Sequence, residues 1–117
     1  MVNRLNQNLI SSLLNNNDKV LDIGCGSGDL LFYLEESKNI QGQGIEISLL
    51  GVKESVSKGL SVIQGDADID LINFPDNAFD VVILSDTLQA THKPKEVLKQ
   101  MLRIGKKCII CIPNFGY

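Results

Sequence analysis

Apolar and polar positions alternate along this chain in short runs whose period changes repeatedly between that of a helix and that of a strand. Leu5, Leu9, Ile10, Leu13 and Leu14 recur at spacings of three and four, which predicts an amphipathic opening helix that stops at Asn15-Asn16-Asn17-Asp18 and packs on a sheet. Val20 to Ile23 reads as a first strand, and Asp29-Leu30-Leu31-Phe32-Tyr33-Leu34 places Leu30, Leu31 and Leu34 on one helical face. A strand near Gln43 to Ile47, a helix with Ser48 as its N-cap, and a strand near Ser61 to Gln64 follow. Asp76-Asn77 is a turn signal before Phe79-Asp80-Val81-Val82-Ile83-Leu84, the fourth strand. Pro94 suits the first turn of a helix carrying Val97, Leu98, Met101 and Leu102, and Gly105 ends it. Lys107-Cys108-Ile109-Ile110-Cys111-Ile112 has the composition of a buried fifth strand.

Strands that alternate with helices, without linker, repeat or low-complexity tract, define an α/β class. Right-handed crossovers make the expected architecture a Rossmann-like, doubly wound parallel sheet of order 3-2-1-4-5 with helices on both faces. Ligands of such sheets lie over the carboxyl ends of the strands, here strands 1 and 4. That edge collects Asp22, Gly24, Gly26, Glu46, Asp66, Ala67, Asp68, Leu84 and Ser85 from distant parts of the chain.

At 117 residues, 44% hydrophobic and 21% charged, residues 1–117 are expected to form a single domain with one core. No run approaches the ~20 apolar residues of a membrane helix, and the segment after Arg4 does not read as a signal peptide, so a cytoplasmic location without membrane contact is expected. A net charge of −3 and scattered lysines give no electrostatic footprint for nucleic acid.

Candidate chemistry concentrates in Gly24-Cys25-Gly26-Ser27-Gly28. Gly24 and Gly26 allow a tight turn and close ligand approach, and Gly28 allows close packing at the helix start. A dinucleotide loop prefers G-x-G-x-x-G, which seats a pyrophosphate on the helix N-terminus. Here the spacing is G-x-G-x-G, preceded by Asp22, a carboxylate suited to an ammonium or amide rather than a phosphate. That pattern favours S-adenosylmethionine, or its product S-adenosylhomocysteine, over a nicotinamide cofactor. Glu46, eighteen positions after Gly28 and followed by Ile47, stands where a carboxylate can grip both ribose hydroxyls. In Gly65-Asp66-Ala67-Asp68 a carboxylate could accept from the adenine amino group, and a turn and helix-cap cluster explains the same residues equally well. The expected cofactor set is therefore the residues gathered at the sheet edge together with Cys25, Gly28 and Ile47. Asp80 is read as a structural carboxylate.

The remaining reactive side chains call for no further chemistry. Cys108 and Cys111 form a C-x-x-C, but in a strand residues three apart point to opposite faces, so they are expected to be reduced, metal-free core residues with one nearly inaccessible. Cys25 is expected to be more accessible. His92, beside Lys93 and Pro94, reads as a loop residue before a helix. Methyl transfer from a sulfonium is an in-line displacement that orientation can drive without a protein base, so no catalytic residue is assigned.

With these residues in view, the chain resembles class I S-adenosylmethionine-dependent methyltransferases, and within them it is most similar to the methionine biosynthesis protein MetW family. Val20 to Gly28 with Glu46 carries the general likeness. Phe74-Pro75-Asp76, the fourth strand through Ser85, Thr87-Leu88-Gln89-Ala90, Glu96-Val97-Leu98, Met101-Leu102-Arg103 and Pro113-Asn114-Phe115-Gly116 carry the specific one. The family commonly has an acidic residue where this chain has Ser27, and an amide where it has Asp86. Family members continue past Phe115-Gly116 into further strands, so the expected fold is a class I methyltransferase fold lacking the C-terminal strands. The resemblance implies a role in methionine biosynthesis in association with homoserine O-acyltransferase, as a cofactor-binding partner or regulator, or alternatively as a genuine small-molecule methyltransferase. Ser85 to Ala90, with Phe115 and Tyr117, could form the surface for that partner.

Overall fold

The computed structural model describes residues 4–85 and 91–111. Asp86, the Thr-Leu-Gln-Ala and Pro-Asn-Phe-Gly motifs and Tyr117 lie outside the described residues. The described residues form, in order, α1 Arg4–Ser12, β1 Lys19–Ile23, α2 Asp29–Lys38, β2 Gln41–Glu46, α3 Leu49–Ser57, β3 Val62–Gln64, α4 Ala67–Asp70, a 3-10 turn Leu71–Asn73, β4 Phe79–Leu84, α5 Pro94–Ile104 and β5 Gly105–Ile110. The five strands form one sheet of order β3-β2-β1-β4-β5. Each neighbouring pair is parallel, with Ile23 opposite Ile45 in β2 and Leu84 in β4.

Alternation along the central strands divides the core in two. Val20 of β1 and Val81 and Ile83 of β4 join Ile10, Leu14, Leu30, Leu31 and Leu34 on the face covered by α1 and α2. Leu21, Ile23, Val82 and Leu84 join Leu71, Val97, Met101 and Ile104 on the face covered by the 3-10 turn and α5. A strand covered on both sides needs apolar residues at consecutive positions, which is why Val20-Leu21 of β1 and Val81 to Leu84 of β4 are uninterrupted by any polar residue.

Several expectations shift in detail. α1 ends at Ser12, before the expected stop at Asn15, so Leu13 and Leu14 fall in the turn after it; Ile10 and Leu14 are buried, whereas Leu9 and Leu13 are exposed. β2 begins two residues earlier than expected and ends before Ile47. Its sequence Gln-Gly-Gln-Gly-Ile-Glu is poor in strand formers, but a Cβ at Gly44 would come within 2.6 Å of Cys25 Sγ, so glycine lets the loop after β1 press onto the sheet. α4 and the 3-10 turn were not anticipated as elements; Asp66 caps α4 by accepting from Asp68 N at 2.9 Å, and buried Leu71 anchors the turn.

The reading of the fifth strand as buried is corrected. β5 is the outermost strand of the described sheet, so Cys108 and Cys111 are both half-buried, and neither is nearly inaccessible. They do point to opposite faces, Cys108 toward the α5 side and Cys111 toward the α2 side. Asp80 is structural: it accepts from Lys19 N at 2.8 Å and pairs with Lys106 at 3.5 Å, tying β4 to its neighbours. No helix among the described residues is long and apolar enough to cross a membrane.

Candidate functional site

The carboxyl ends of β1 to β4 converge on one cleft. Ile23 and Gly24 line it from β1, Ile45, Glu46 and Ile47 from β2, Gly65 to Asp68 from the segment after β3, Leu84 from β4, and Thr91 from the segment before α5. Among the described residues that line it, three, Glu46, Asp66 and Asp68, are carboxylates and none is basic.

The glycine loop owes its path to backbone conformations that other residues rarely adopt. Gly24, Gly26 and Gly28 have φ of 73°, 58° and 89°, the left-handed region that glycine reaches without Cβ strain. A Cβ on Gly26 would meet nothing within 4 Å, so that position borders open space, whereas one on Gly28 would come within 2.8 Å of Ser55 Oγ. The two glycines thus serve different ends, an open cradle at Gly26 and tight packing against α3 at Gly28. Glu46 holds the cradle in place. Its Oε1 accepts from Gly26 N at 2.9 Å and its Oε2 from Ser48 N at 2.9 Å, while Gly24 N bonds Ile45 O at 2.8 Å.

Of the residues expected at the site, Gly24, Glu46, Ile47, Asp66, Ala67, Asp68 and Leu84 line the cleft. Asp22 is fully buried in β1, beneath the loop. Ser85 is buried and Gly28 faces α3, so neither lines the cleft. Cys25 overturns the expected accessibility, because it is the most buried of the three cysteines and its side chain packs in the core under Gly44. Burial, with the negative charge of Asp22, pushes its thiol up to about 12.

Asp66 and Asp68 take the capping option that the sequence left open. Asp68 Oδ2 accepts from His92 N at 2.9 Å and Oδ1 from Lys93 N at 3.0 Å. These bonds, the one to His92 foremost, hold its carboxyl below the usual range. Lys93 is the N-cap position of α5 and has no side-chain cap of its own. Asp68 therefore supplies the cap from across the cleft and holds the segment that carries Thr91. Ile23, Ile45, Gly65 and Thr91 line the cleft without having been anticipated. Strand register could have revealed the first two, since Ile23 and Ile45 are partners at the strand ends. Thr91 left no local signal, because its place depends on the Asp68 bridge.

The model of the methionine biosynthesis protein MetW family matches residues 4–117. The chain belongs to that family. A bifunctional methionine biosynthesis protein MetXA/MetW of Rhodopirellula baltica is 38% identical over 106 residues, a match that covers 84% of this chain and 17% of that protein. Phosphoethanolamine N-methyltransferase 1 of Arabidopsis thaliana is 34% identical over 99 residues, covering 79% of this chain and 20% of the relative. Among solved structures, the complex of the Haloferax volcanii Trm112 methyltransferase activator with a putative methyltransferase superposes with a TM-score of 0.73 at 28% identity, over 81% of this chain and 46% of the other. The chain thus spans less than half the length of each of these proteins. Sheet order and neighbours together make the fold that of class I S-adenosylmethionine-dependent methyltransferases, and the family makes this a methyltransferase-like protein of methionine biosynthesis.

Proposed function

We propose that this chain binds S-adenosylmethionine or S-adenosylhomocysteine in the cleft and acts in methionine biosynthesis as a cofactor-binding partner or regulator of homoserine O-acyltransferase. The observation that carries the ligand is the charge of the site: three of its described lining residues are carboxylates and none is basic, Lys93 meeting Asp68 from outside the lining. Such a site repels a pyrophosphate and attracts a ligand bearing an ammonium and a sulfonium. The start of α2, where a dinucleotide phosphate would sit, is already occupied by Asp29 in its first turn, paired with Lys58 at 2.9 Å.

The residues present fit the ligand. Glu46 can accept from the ribose hydroxyls, because two oxygens that each receive one backbone N–H retain further lone-pair sites. The open side of Gly26 gives room for the amino-acid portion, and Ile47, Ala67 and Leu84 offer apolar surface around the purine and ribose. Asp22 contributes negative charge from beneath the loop, with Gly24, Cys25 and Gly28 setting its path and Ser85 closing the end of β4. Asp66 and Asp68, already used as caps, act on the ligand through charge and position. When bound, S-adenosylmethionine supplies an activated methyl group, and the chain's own part is to orient it.

The partner half of the reading rests on the family and on the relative in which a MetW portion is joined to MetXA in one protein. A cytoplasmic location and a single domain over residues 1–117 belong to the same proposal. A second reading, a genuine small-molecule methyltransferase, is favoured by the N-methyltransferase relatives. Calorimetry with S-adenosylmethionine, S-adenosylhomocysteine and NAD tests the ligand, with binding of the first two and none of the third expected. Tighter binding of NAD would overturn it. Methyl turnover over a metabolite panel, in the presence and absence of the acyltransferase, separates partner from enzyme.

A further inference from the structure

We propose that the inner face of α3 is a clamp that sets the glycine loop before the cofactor arrives, and that Ser55 is its central positioning residue. The inference rests on the cofactor reading above and concerns a residue that would not touch the cofactor. Gly51, Ser55 and Lys58 are spaced by four and three, so they share one face that runs from the first turn of the helix to its C-cap. Each meets the loop. Ser55, fully buried, donates its hydroxyl to Gly26 O at 3.0 Å. Lys58 Nζ donates to Ser27 O at 2.7 Å. Gly51 permits the approach, since a Cβ there would lie 2.9 Å from Gly26 O.

Gly26 is thereby held on both sides. Its N–H donates to Glu46 and its C=O accepts from Ser55, so the peptide planes flanking the residue with φ of 58° cannot rotate without breaking a hydrogen bond. Glycines lose more conformational freedom on ordering than any other residue. A loop with three of them at positive φ would otherwise be ordered by the ligand at the expense of affinity. The clamp transfers that ordering to folding. It also links the loop to Glu46 through α3, whose N-cap Ser48 donates its backbone N–H to the same carboxylate.

The test compares wild type with Ser55→Ala by two readouts, S-adenosylhomocysteine affinity by calorimetry and amide hydrogen exchange at Gly26 and Gly28 in the free protein. Removing one donor from a half-buried carbonyl should weaken binding roughly 5- to 30-fold and speed exchange at both glycines while the amides of β1 keep their protection. In a double-mutant cycle with Glu46→Ala the two penalties should be clearly less than additive, because both residues act through Gly26. A merely structural Ser55 would lower the melting temperature and leave loop exchange tracking that of β1. Unchanged affinity, unchanged loop exchange or full additivity would each overturn the clamp. A wild-type protein that binds neither S-adenosyl ligand overturns the cofactor reading itself; the exchange comparison then decides the clamp alone, for it if the loop loosens and against it if not. Should Ser55→Ala fail to fold, Lys58→Met removes the outer grip, and loop exchange no faster than in wild type counts against the proposal.

Discussion

Replacing Glu46 by alanine should weaken S-adenosylhomocysteine binding by one to two decades. The carboxylate has four acceptor sites; two are taken by the N–H groups of Gly26 and Ser48, each at 2.9 Å, and the others are free for a ribose diol. Hydrogen bonds to a charged acceptor contribute about 1.5 to 3 kcal/mol, and at about 1.4 kcal/mol per decade that is roughly 10- to 100-fold in Kd. Glu46→Gln should fall between wild type and alanine, since its amide nitrogen would face one of the two backbone donors. Isothermal calorimetry at neutral pH measures the losses, with circular dichroism to establish that each variant is folded. An analogue lacking the ribose hydroxyls separates recognition from loop support: its deficit in wild type reads the ribose contacts alone, and its further loss against Glu46→Ala reads the support that Glu46 gives Gly26. If Glu46→Ala is folded and binds S-adenosylhomocysteine with wild-type affinity, the carboxylate has no part in the site and the reasoning fails.

Cys108 and Cys111 should react with iodoacetamide at pH 8 well before Cys25, which burial and the nearby Asp22 hold as a thiol; mass spectrometry of a brief labelling reaction reads the order, and Cys25 labelled first would contradict its packing. Because the folded-state value of Cys25, about 12, lies above its ordinary 9.0, its contribution to stability is complete below pH 9 and declines as the pH rises toward 12, visible as a falling melting temperature. Asp29, Asp68 and Asp80 shift the other way, held down chiefly by Lys58, His92 N and Lys19 N respectively. Their contribution is present above the ordinary carboxylate range near 4 and is lost as the pH falls through the lower folded values, where the unfolded chain has already bound its protons. Asp68→Asn should therefore lower the melting temperature at neutral pH by a small, salt-sensitive amount that vanishes in acid once the folded-state carboxyl is protonated; an equal deficit in acid and at neutral pH would mean that charge is not what Asp68 supplies. The double variant Gln89→Ala with Phe115→Ala should weaken capture of homoserine O-acyltransferase and leave S-adenosylhomocysteine affinity nearly intact, and undiminished capture would move the docking surface elsewhere.

The order of the sheet, the glycine loop and Glu46 were legible in the sequence because each depends on local pattern. Val20-Leu21 in the first strand and Val81 to Leu84 in the fourth are apolar at consecutive positions since both faces of a central strand are covered. Three glycines feeding a helix announce a loop that must pass through left-handed conformations, and chirality restricts the order in which such units assemble. What a side chain does once the units are assembled is another matter. Asp66 and Asp68 have the same chemistry and adjacent places, yet one caps its own helix and the other caps α5 across the cleft. Cys25 looked exposed because glycines flank it, and it is buried because β2 has no side chain at Gly44. β5 has the composition of an interior strand and stands at the edge of the described sheet. The grip of Ser55 and Lys58 on the loop joins residues 29 and 31 positions apart. Period and propensity report only on neighbours along the chain. Burial and partnership across the chain are decided by which surfaces the crossovers bring together, and that exists only in the packed structure.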